Sequence, residues 1–373
     1  MKKIHRIGVI GCGGISTWHI RGILDSPDLE VGALCDVLPA RLEEKTALCG
    51  ASADMCYDDY IKLMESGKVD AVSICTPNNV HYEIAMAAAE RGIPFAVEKP
   101  LCISEAQAAS LLERVESAGV RNMVCFSYRF RPAARYFRQI VSSGELGKIY
   151  HISGEYFQAW GLPGARSGGD TPLVWRYIKE IAGSGALGDL GSHMIDLLRF
   201  LTGREFSYIS ADMDTFITRR KLPDLSGKNQ GIEVNAVTDE SVAEGVVDVD
   251  DYINIVGQMQ DKLAATLSIS RYAYSRGNYQ RVEVYGERGA LRYTLENKDT
   301  LEVNIGNEPM RTGHIWAEVP VPPSYAGNQM QSFADILNGR GDGLAATVRD
   351  GWAVQRVIDA ALKSAENGVR VVL

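Results

Sequence analysis

The sequence of 373 residues has no apolar run that approaches the roughly 20 residues needed to cross a bilayer. Its start, MKKIHRIGVIG, is basic and then apolar, but the apolar part is short and ends in glycine, so we interpret it as a first strand rather than a signal peptide. No stripe of basic residues stands out, and the net charge is −8. We therefore expect neither a membrane nor a nucleic acid as a partner.

Cysteine is scarce, and its pattern argues against two kinds of site. The seven cysteines all lie within the first 125 residues, and none belongs to a CxxC pair. No cluster of cysteine and histidine has the spacing of a zinc site, so we expect no metal. Several cysteines lie in or beside apolar runs, as small buried side chains do in a reducing cytosol. We therefore expect a cytoplasmic protein.

Internal repeats and low-complexity tracts are absent as well. What remains is an ordinary globular composition, with 46% hydrophobic and 23% charged residues. The length suggests two domains, each large enough for its own core. Because the pattern changes near residue 126, we predict a dinucleotide-binding domain over residues 1–126 and a second domain over residues 127–373. Helices at about 326–366 are expected to pack back toward the first domain.

A glycine-rich turn, GCGGIS, follows the first predicted strand and begins a helix that extends to a Ser-Pro pair. In such a turn the first glycine permits a tight bend, the second lets the backbone approach a pyrophosphate, and the helix N-terminus attracts negative charge. Ser16 replaces the usual third glycine and is still small enough for close packing of helix against strand. The predicted dinucleotide-binding residues of the turn are Gly11, Gly13, Gly14 and Ile15.

An acidic residue closes the second predicted strand, residues 29–35. Asp36 occupies the position where a carboxylate would accept hydrogen bonds from an adenosine ribose and repel a 2′-phosphate. This predicts NAD as the cofactor. NADP stays open, since Arg41, five residues on, could meet a phosphate if it is not simply part of a solvated helix face. A lone glycine motif is weak evidence, and the flanking strands and the acid are what support the prediction.

Strands and helices continue to alternate as far as residue 126, which predicts a parallel, doubly wound sheet. Predicted strands cover 69–75, the run FAV and 121–126, with helices at about 79–91 and from the Ser104 capping pattern to Gly119. Ligands of such sheets lie outside the carboxyl ends of the strands. The further residues expected to line this crevice are Thr76, Asn78, His81, Glu98 and Lys99. For Asn78, a plain helix cap is the alternative.

The stretch AVEKPL ends a short apolar strand with a carboxylate, an ammonium and a proline. A solvated turn would be the ordinary interpretation of these charges. Proline, however, fixes its own φ and restricts the residue before it, which is Lys99. We expect the ammonium to be held near the nicotinamide end of a bound cofactor, and Glu98 to fix the local geometry.

The pattern changes in the second part of the chain. A helix at about 132–142 and a strand at about 148–157 precede an irregular segment, Gln158 to Leu187, rich in glycine and aromatic residues. Alternating runs without intervening helices then indicate antiparallel strands. These runs cover about 206–217, 245–257, 262–273, 278–286 and 289–295, with a surface loop at 219–241, helices at about 326–338 and 347–366, and a short final strand.

A DxxxH spacing stands between glycines and an apolar helix, in GALGDLGSHMID. Asp189 and His193 are four residues apart, so they share one face of a helical turn. The glycines leave room for a ligand near the helix start. A histidine at a helix start is often only a hydrogen-bonded structural residue, so the spacing alone leaves both roles open.

Six stretches carry a resemblance to a known family. They are GVIGCGGIS, CTPNNVHYEIAMAAAERG, VEKPL, SYRFRPAARYFRQIVSSGELGKI, GSGALGDLGSHMIDLLRFLTG and RVEVYGERGAL. Together they extend from residue 8 to about residue 291, and the C-terminal helices are also similar. The combination of an EKP tripeptide with the DxxxH spacing is specific. The chain resembles the Gfo/Idh/MocA oxidoreductases, which include glucose–fructose oxidoreductase and inositol dehydrogenase.

The resemblance implies an α/β fold, with an N-terminal Rossmann domain and a C-terminal α/β domain that has a large open, mostly antiparallel sheet. It implies NAD(P), a sugar, polyol or similar substrate, and a homodimer or homotetramer assembled through the open sheet. The long Trp-Arg segment before the DxxxH motif is similar to that of dehydrogenases of glycosides, anhydrosugars and inositols. The expected activity is hydride transfer between nicotinamide and a secondary hydroxyl or ketone.

By the family pattern, Lys99 is the EKP lysine, and Asp189 and His193 are the substrate-side pair. We hypothesise that His193 transfers the hydroxyl proton, because its ordinary pKa is about 6.5 against about 10.4 for lysine. Lys99 would then bond the substrate oxygen and the nicotinamide ribose. The opposite assignment stays open, since burial could lower the pKa of Lys99. Asp189 is expected to orient His193 and to bind a sugar hydroxyl.

Aromatic and cationic side chains of the second part are candidates for the sugar pocket, with ordinary core packing or surface ion pairing as the alternative. They are Tyr128, Arg129, Tyr156, Trp160, Trp175 and Arg176. An aromatic face contacts the C–H groups of a sugar, and a guanidinium donates to its hydroxyls. Two other functions are weighed against a dehydrogenase. One is NAD-dependent glycoside cleavage through transient oxidation and elimination, and the other is a cofactor-binding regulator without turnover.

Overall fold

The computed structural model describes residues 3–165, 170–223, 241–305 and 316–373. The first part of the chain forms a six-stranded sheet in the order β3-β2-β1-β4-β5-β6, and every pairing is parallel. Its elements are β1 (His5–Ile10), α1 (Ser16–Leu24), β2 (Leu29–Cys35), α2 (Pro39–Cys49), β3 (Cys56–Tyr57), α3 (Tyr60–Glu65), β4 (Ala71–Ile74), α4 (His81–Glu90), β5 (Phe95–Val97), α5 (Glu105–Ala118) and β6 (Asn122–Val124). The predicted doubly wound parallel sheet is confirmed.

The central strands of this sheet are apolar because helices cover both faces. Every residue of β4 and β5 is buried, as continuous hydrophobic runs in parallel sheets usually are. The predicted capping box of α5 forms only in part. Ser104 accepts from the Gln107 backbone N–H at 3.4 Å, but the Gln107 side chain accepts from Ile103 instead of Ser104.

The second part of the chain builds a nine-stranded sheet in the order β16-β15-β14-β13-β7-β12-β11-β8-β17. Its elements, with those around it, are α6 (Pro132–Ser142), β7 (Ile149–Phe157), α7 (Lys179–Ala182), α8 (Ser192–Thr202), β8 (Phe206–Asp214), β9 (Arg219–Lys221), β10 (Glu244–Val246), β11 (Tyr252–Met259), β12 (Leu263–Ser270), β13 (Tyr279–Gly286), β14 (Gly289–Leu295), β15 (Asp299–Ile305), β16 (Ala317–Glu318), α9 (Gln329–Leu337), α10 (Val348–Asn367) and β17 (Val371–Val372). All neighbours pair antiparallel except β7 and β12. The expected mostly antiparallel sheet is confirmed.

One face of this sheet packs against α6, α8 and α10, and the other face presents exposed side chains in the described part of the chain. On β11, Ile253 and Ile255 are buried, whereas Asn254 and Val256, which alternate with them, are exposed. This alternation is the period of two that places successive side chains on opposite faces of a strand.

Two predictions in this region were wrong. The single strand predicted at 245–257 is split into β10 and β11, because Asp248, Asp250 and Asp251 between them turn their carboxylates to backbone N–H groups of other segments. The loop predicted at 219–241 begins with a strand, β9, which pairs with β10, and residues 224–240 of that loop lie outside the described residues.

The last two helices return to the first sheet. Helix α9 packs on α1 through Met330 and Phe333, which join the core that contains Ile20 and Ile23. Helix α10 lies between α5 and β8. Within the described ranges, no helix is both long enough and apolar enough to span a bilayer.

Candidate active site

The glycine-rich turn lies between β1 and α1. A Cβ atom on Gly11 would lie 2.7 Å from the backbone that follows β4, and the φ of this residue is +87°, so only glycine fits. A Cβ on Gly13 would approach a single guanidinium at 3.9 Å, and one on Gly14 would meet nothing within 4 Å. Ile15 is exposed, and Ser16 begins the helix. Open space before backbone N–H groups and a helix start fits a pyrophosphate.

Asp36 lies immediately after β2, beside the turn. One of its carboxylate oxygens accepts from the Cys12 backbone N–H at 2.7 Å, and the other accepts from Leu38 N–H at 2.9 Å. The Arg41 guanidinium lies 3.7 Å from the first of these oxygens. The carboxylate is therefore held at the rim of the turn, where the ribose of a dinucleotide is expected, and Arg41 faces the same place.

The turn after β4 is tied to its surroundings by two polar side chains. Asn78 donates its amide N–H to the carbonyl of Ala182 at 2.9 Å, across to the second part of the chain. The ring nitrogens of His81 lie 2.9 Å from the carbonyl oxygens of Thr76 and Pro100. Burial holds the pKa of His81 below its ordinary value despite these carbonyls. His81 thus joins two edge segments of the crevice.

The EKP stretch follows β5 at the same edge, and its Lys99–Pro100 peptide bond is cis. Glu98 is buried, and one of its carboxylate oxygens lies 2.8 Å from Nε2 of His19, a residue of α1. Our sequence analysis did not single out His19. The available signal was its place on the buried face of α1, next to Ile20, where an unpaired polar residue would be costly.

Lys99 reaches from the first sheet to the DxxxH segment. Its Nζ donates to a carboxylate oxygen of Asp189 at 2.8 Å and to the Asp189 carbonyl oxygen at 2.9 Å. The two side chains are 15% and 24% exposed, so the pair borders solvent. Burial disfavours the charged carboxylate, but Lys99 and then Arg176 outweigh burial and hold the pKa of Asp189 well below its usual range.

Asp189 lies in a π-helical turn, Leu187–Gly191, that runs directly into α8. Asp250, before β11, anchors the start of this turn by accepting from the backbone N–H groups of Gly185 at 2.6 Å and Leu187 at 2.7 Å. A Cβ on Gly185 would lie 1.9 Å from the Asp250 carbonyl oxygen, so this close approach requires glycine. Sequence reasoning missed Asp250, whose only signal was a carboxylate within an apolar run.

His193 is buried among aromatic rings on the first turn of α8. Its ring lies edge-on to Tyr128 with centroids 4.7 Å apart, and Phe126 and Tyr156 lie at 6.0 and 6.3 Å. Burial, and next the charge of Lys99, hold the pKa of His193 well below its ordinary value. Nδ1 of His193 is buried and has no hydrogen-bond partner among the residues that the structure describes. The Asp189 carboxylate bonds Lys99, and its charge favours the charged form of His193, so the orienting role of Asp189 stays a prediction.

The two tyrosines beside His193 form a polar network. The hydroxyls of Tyr128 and Tyr156 are 2.7 Å apart, and both donate to the side-chain oxygen of Asn278, at 3.1 and 2.7 Å. Gln158 donates to the same oxygen at 2.9 Å. Burial, and then Tyr128, raise the pKa of Tyr156 well above its usual value, so this phenol stays neutral. Sequence reasoning missed Asn278 and Gln158, which lie in turns and match no motif.

Arg129 does not face this network, so its assignment to the sugar pocket was wrong. Its guanidinium donates to both carboxylate oxygens of Asp196, at 2.8 and 2.5 Å, and to Asp350 at 2.9 Å. The Arg129 and Asp196 side chains are 6% and 2% exposed. Every one of these contacts joins secondary-structure elements, so Arg129 has a structural position between α8 and α10.

The aromatic residues of the irregular segment lie apart from His193 in the described contacts. Trp160 packs on Tyr177 and under the Arg271 guanidinium, and it also lines a surface cavity of about 320 Å³. Trp175 packs under its neighbour Arg176, with the guanidinium 4.3 Å from the ring centre. Arg176 is connected to the site through its effect on Asp189, described above.

The structure brings an ammonium, a carboxylate and a neutral imidazole together beside a dinucleotide-binding turn. Such a set can bind a hydroxyl, polarise its oxygen and accept its proton, while a bound nicotinamide supplies the hydride chemistry. Fold and site therefore define an NAD-binding oxidoreductase.

The chain belongs to the GFO/IDH/MocA oxidoreductase family. Residues 5–126 match the oxidoreductase family with an NAD-binding Rossmann fold, and residues 134–292 match the GFO/IDH/MocA C-terminal domain. The family predicted from the EKP and DxxxH motifs is thereby confirmed, as are its enzyme class and its NAD-binding Rossmann domain.

The chain is similar in sequence to sugar and inositol dehydrogenases over most of its length. Levoglucosan dehydrogenase of Pseudarthrobacter phenanthrenivorans is 30% identical over 82% of this chain and 80% of its own length. Inositol 2-dehydrogenase of Rhizobium meliloti is 26% identical over 96% of each chain. The solved structure of a levoglucosan dehydrogenase with NADH and levoglucosan has 26% sequence identity to this chain and a TM-score of 0.85, and the match covers 99% of each chain.

Proposed function

We propose that the protein transfers a hydride between NAD and a secondary hydroxyl or ketone of a sugar, glycoside, anhydrosugar or inositol. The single observation that carries the proposal is the contact of Lys99 with Asp189, because it joins the cofactor edge to the DxxxH helix. Membership of the GFO/IDH/MocA family and the similarity to sugar and inositol dehydrogenases support the substrate class.

In this proposal Lys99 binds the oxygen of the reacting hydroxyl. Two of the three N–H donors of its ammonium bond the carboxylate and the carbonyl oxygen of Asp189, at 2.8 and 2.9 Å, and the third is left for a substrate oxygen. A fixed positive charge stabilises the negative charge that develops on that oxygen as the proton leaves. Asp189 accepts a hydrogen bond from a neighbouring hydroxyl of the substrate and keeps the Lys99 ammonium in place.

His193 accepts the hydroxyl proton. Because its pKa is held well below its ordinary value, the imidazole is neutral at pH 7 and can take up a proton. The same low pKa makes protonation costly, and Asp189, which favours the charged form, reduces that cost. The reverse assignment, with Lys99 as the base, predicts the larger loss for Lys99 variants.

The substrate pocket is proposed to include Tyr128, Tyr156, Trp160, Trp175 and Arg176, and to exclude Arg129. The phenols of the two tyrosines are supported by their place beside His193. The two indoles lie in the same irregular segment as Arg176, whose charge helps to lower the pKa of Asp189. Stacking of C–H faces on indoles is a usual mode of sugar recognition.

The cofactor is proposed to lie along the carboxyl edge of the first sheet. Its residues there are Gly11, Gly13, Gly14, Ile15, Asp36, Thr76, Asn78, His81, Glu98 and Lys99. The open space before the glycine turn and the two backbone bonds of Asp36 support this placement.

Single-turnover formation of NADH tests the proposal, with a panel of anhydrosugars, inositols and glycosides as substrates. Lys99→Ala and His193→Ala are each expected to lower the rate by about 10²- to 10⁴-fold, the usual contribution of an acid–base group. Lys62→Ala, which removes an exposed lysine paired with Asp58, is the control and should keep the rate. Near-normal rates in both site variants would end the proposal.

The same panel separates the two other functions. Glycoside cleavage would release the aglycone without net accumulation of NADH. A regulator without turnover would bind NADH and convert none of the substrates. Net NADH formation from an anhydrosugar or inositol is the expected result.

We further propose that copies of the chain assemble through the open face of the nine-stranded sheet, as a dimer or tetramer. This face carries exposed Val256 and Tyr285 beside the linked charges of Arg281, Glu283 and Arg292. Mass measurement by light scattering tests this, with Val256→Glu as the disrupting variant.

A cytoplasmic location is proposed because all seven cysteines are free thiols.

A further inference from the structure

A buried histidine, His19, connects α1 to the segment after β5 that contains Lys99. His19 lies on α1 and is 2% exposed. Its Nδ1 lies 2.7 Å from the hydroxyl of Ser73 on β4, and its Nε2 lies 2.8 Å from a carboxylate oxygen of Glu98, just after β5. Both ring nitrogens therefore have partners, and the ring links three elements.

The link continues to the backbone of Lys99. The second carboxylate oxygen of Glu98 accepts from the Lys99 backbone N–H at 3.2 Å. On the other side of Lys99, the Pro100 carbonyl faces His81 at 2.9 Å. The backbone on both sides of Lys99 is thus held by side chains, while its ammonium extends 2.8 Å from Asp189.

The charges of this link are mutually supporting. Burial alone would lower the pKa of His19, but Cys75 and Glu98 outweigh burial and raise it to about 10. Burial alone would raise the pKa of Glu98, but the hydrogen bond and charge of His19 hold it below its ordinary value. An imidazolium that donates from both nitrogens therefore holds an ionised Glu98, and charge-assisted bonds of this kind are short and directional.

The same cluster has the atom types of a metal site, since ligand atoms of His19, Glu98 and Cys125 lie within 4.8 Å of one another. Two of these atoms already bond each other at 2.8 Å. Burial raises the pKa of the Cys125 thiol well above its usual value. The cluster is better explained as a hydrogen-bonded support.

We propose that His19 is a positioning residue for the reaction, which acts through Glu98 to hold Lys99 where its ammonium meets the substrate oxygen. The same ring ties Lys99 to α1, whose N-terminus faces the pyrophosphate position, so the cofactor and the ammonium keep a constant separation. This inference rests on the proposed role of Lys99 in hydride transfer.

Two substitutions of His19 distinguish the bond to Glu98 from the bond to Ser73. The amide nitrogen of glutamine takes the place of Nε2 and can still donate to Glu98, whereas that of asparagine takes the place of Nδ1 and reaches only Ser73. His19→Asn is expected to lower kcat by about 10- to 100-fold, the range that small misplacements cost. His19→Gln is expected to retain at least about a third of kcat, since the bond to Glu98 is rebuilt.

A second readout concerns binding. In a fluorescence titration with NADH, both variants should keep Kd within about threefold, because the turn presents the cofactor with backbone groups that neither variant removes. His5→Asn is the matched control, since His5 is also buried in the first domain, and its Nε2 bonds Asn338 at 3.1 Å with no link to Lys99. It should keep kcat. Thermal melting of all variants checks that each is folded.

A double variant provides the decisive test. If His19 acts through Lys99, then His19→Asn should not lower the single-turnover rate further in a Lys99→Ala background. An equal loss in both backgrounds, or equal losses for asparagine and glutamine, would mean a general structural role and overturn the inference. A normal kcat for His19→Asn, together with an inactive Lys99→Ala, would overturn the positioning role of His19 and leave the proposed function in place. A near-normal Lys99→Ala would remove the proposed role of Lys99, and near-normal rates in both Lys99→Ala and His193→Ala would remove the proposed function itself.

Discussion

Asp189 and Asp196 lie seven positions apart on one helical segment, and each pairs with a cation that follows a strand of the first sheet. Lys99 follows β5 and reaches Asp189 at 2.8 Å, and Arg129 follows β6 and reaches Asp196 at 2.8 and 2.5 Å. The first pair is 15% and 24% exposed, whereas the second is 6% and 2% exposed. The chemistry of the two pairs is similar, and their access to solvent differs.

Access decides what each pair can do. A carboxylate and an ammonium at the rim of a crevice can exchange part of their mutual bonding for bonds to a substrate. The guanidinium of Arg129 is enclosed by Asp196, Asp350 and the Leu344 carbonyl. An ion pair of that kind orients helices and is costly to break from one side. The comparison therefore predicts opposite results for the same substitution at the two aspartates.

The largest effect is expected from Asp196→Asn, on stability. Removing one partner of a buried pair leaves a buried charge, and the usual cost is about 3–5 kcal/mol. Since Asp350 still faces Arg129 at 2.9 Å, we expect about 3 kcal/mol, the lower end of that range. Chemical denaturation gives this value. The kcat of the folded enzyme should stay within about threefold, and a loss of kcat with normal stability would contradict the comparison.

Asp189→Asn should do the reverse. The free energy of unfolding is expected to fall by about 1 kcal/mol or less, because partly exposed pairs contribute little. The kcat should fall by about 10- to 100-fold, since Lys99 loses its anionic partner and the substrate loses an acceptor. Steady-state kinetics and denaturation on the same preparation check both values. Asp196→Asn is the control, and equal stability losses at the two positions would erase the distinction.

Much of this site could be predicted from the chain. The glycine turn, Asp36, the EKP lysine and the DxxxH pair are local patterns, and the rule that parallel strands expose ligands at their carboxyl ends places the first three at one edge. That Lys99 and the DxxxH pair share one site followed from the family resemblance and not from spacing, whereas the bond between Lys99 and Asp189 was not predicted. The contact itself depends on how the second sheet packs on the first.

The supporting residues could not be predicted in the same way. His19 and Glu98 are 79 positions apart, and Asp250 acts on backbone 63 and 65 positions away. Such contacts match no local period. Arg129 shows the converse difficulty, since an arginine beside aromatic residues has the composition of a sugar pocket. Only the placement of Asp196 and Asp350 around it distinguishes a structural ion pair from a ligand site.

The first sheet carries two buried carboxylates with different partners, since Asp36 bonds the backbone of the glycine turn and of Leu38, whereas Glu98 bonds His19. Replacing Asp36 with serine removes the charge that repels a 2′-phosphate, so the ratio of kcat/KM for NAD over NADP should fall by about tenfold. Steady-state kinetics with both cofactors measures the ratio. Arg41→Met is the companion variant, and if Arg41 meets the phosphate it should lower kcat/KM for NADP in the Asp36→Ser background. A wild-type preference for NADP would contradict our interpretation of Asp36.

The smallest expected effect is a pH dependence of stability, which should differ between His19, the partner of buried Glu98, and the partly exposed Asp189. The pKa of His19 is about 10 in the folded chain, above its ordinary value, so its stabilisation is complete below about pH 6.5 and is lost as pH rises through about 10. The stability difference between wild type and His19→Gln should therefore shrink by about 1 kcal/mol from about pH 7 to about pH 8. The pKa of Asp189 is lowered, so its contribution is lost only in acid, and the difference between wild type and Asp189→Asn should stay constant over the same interval. Denaturation at the two pH values measures both. Equal slopes for the two variants would mean that His19 is not held charged by Glu98.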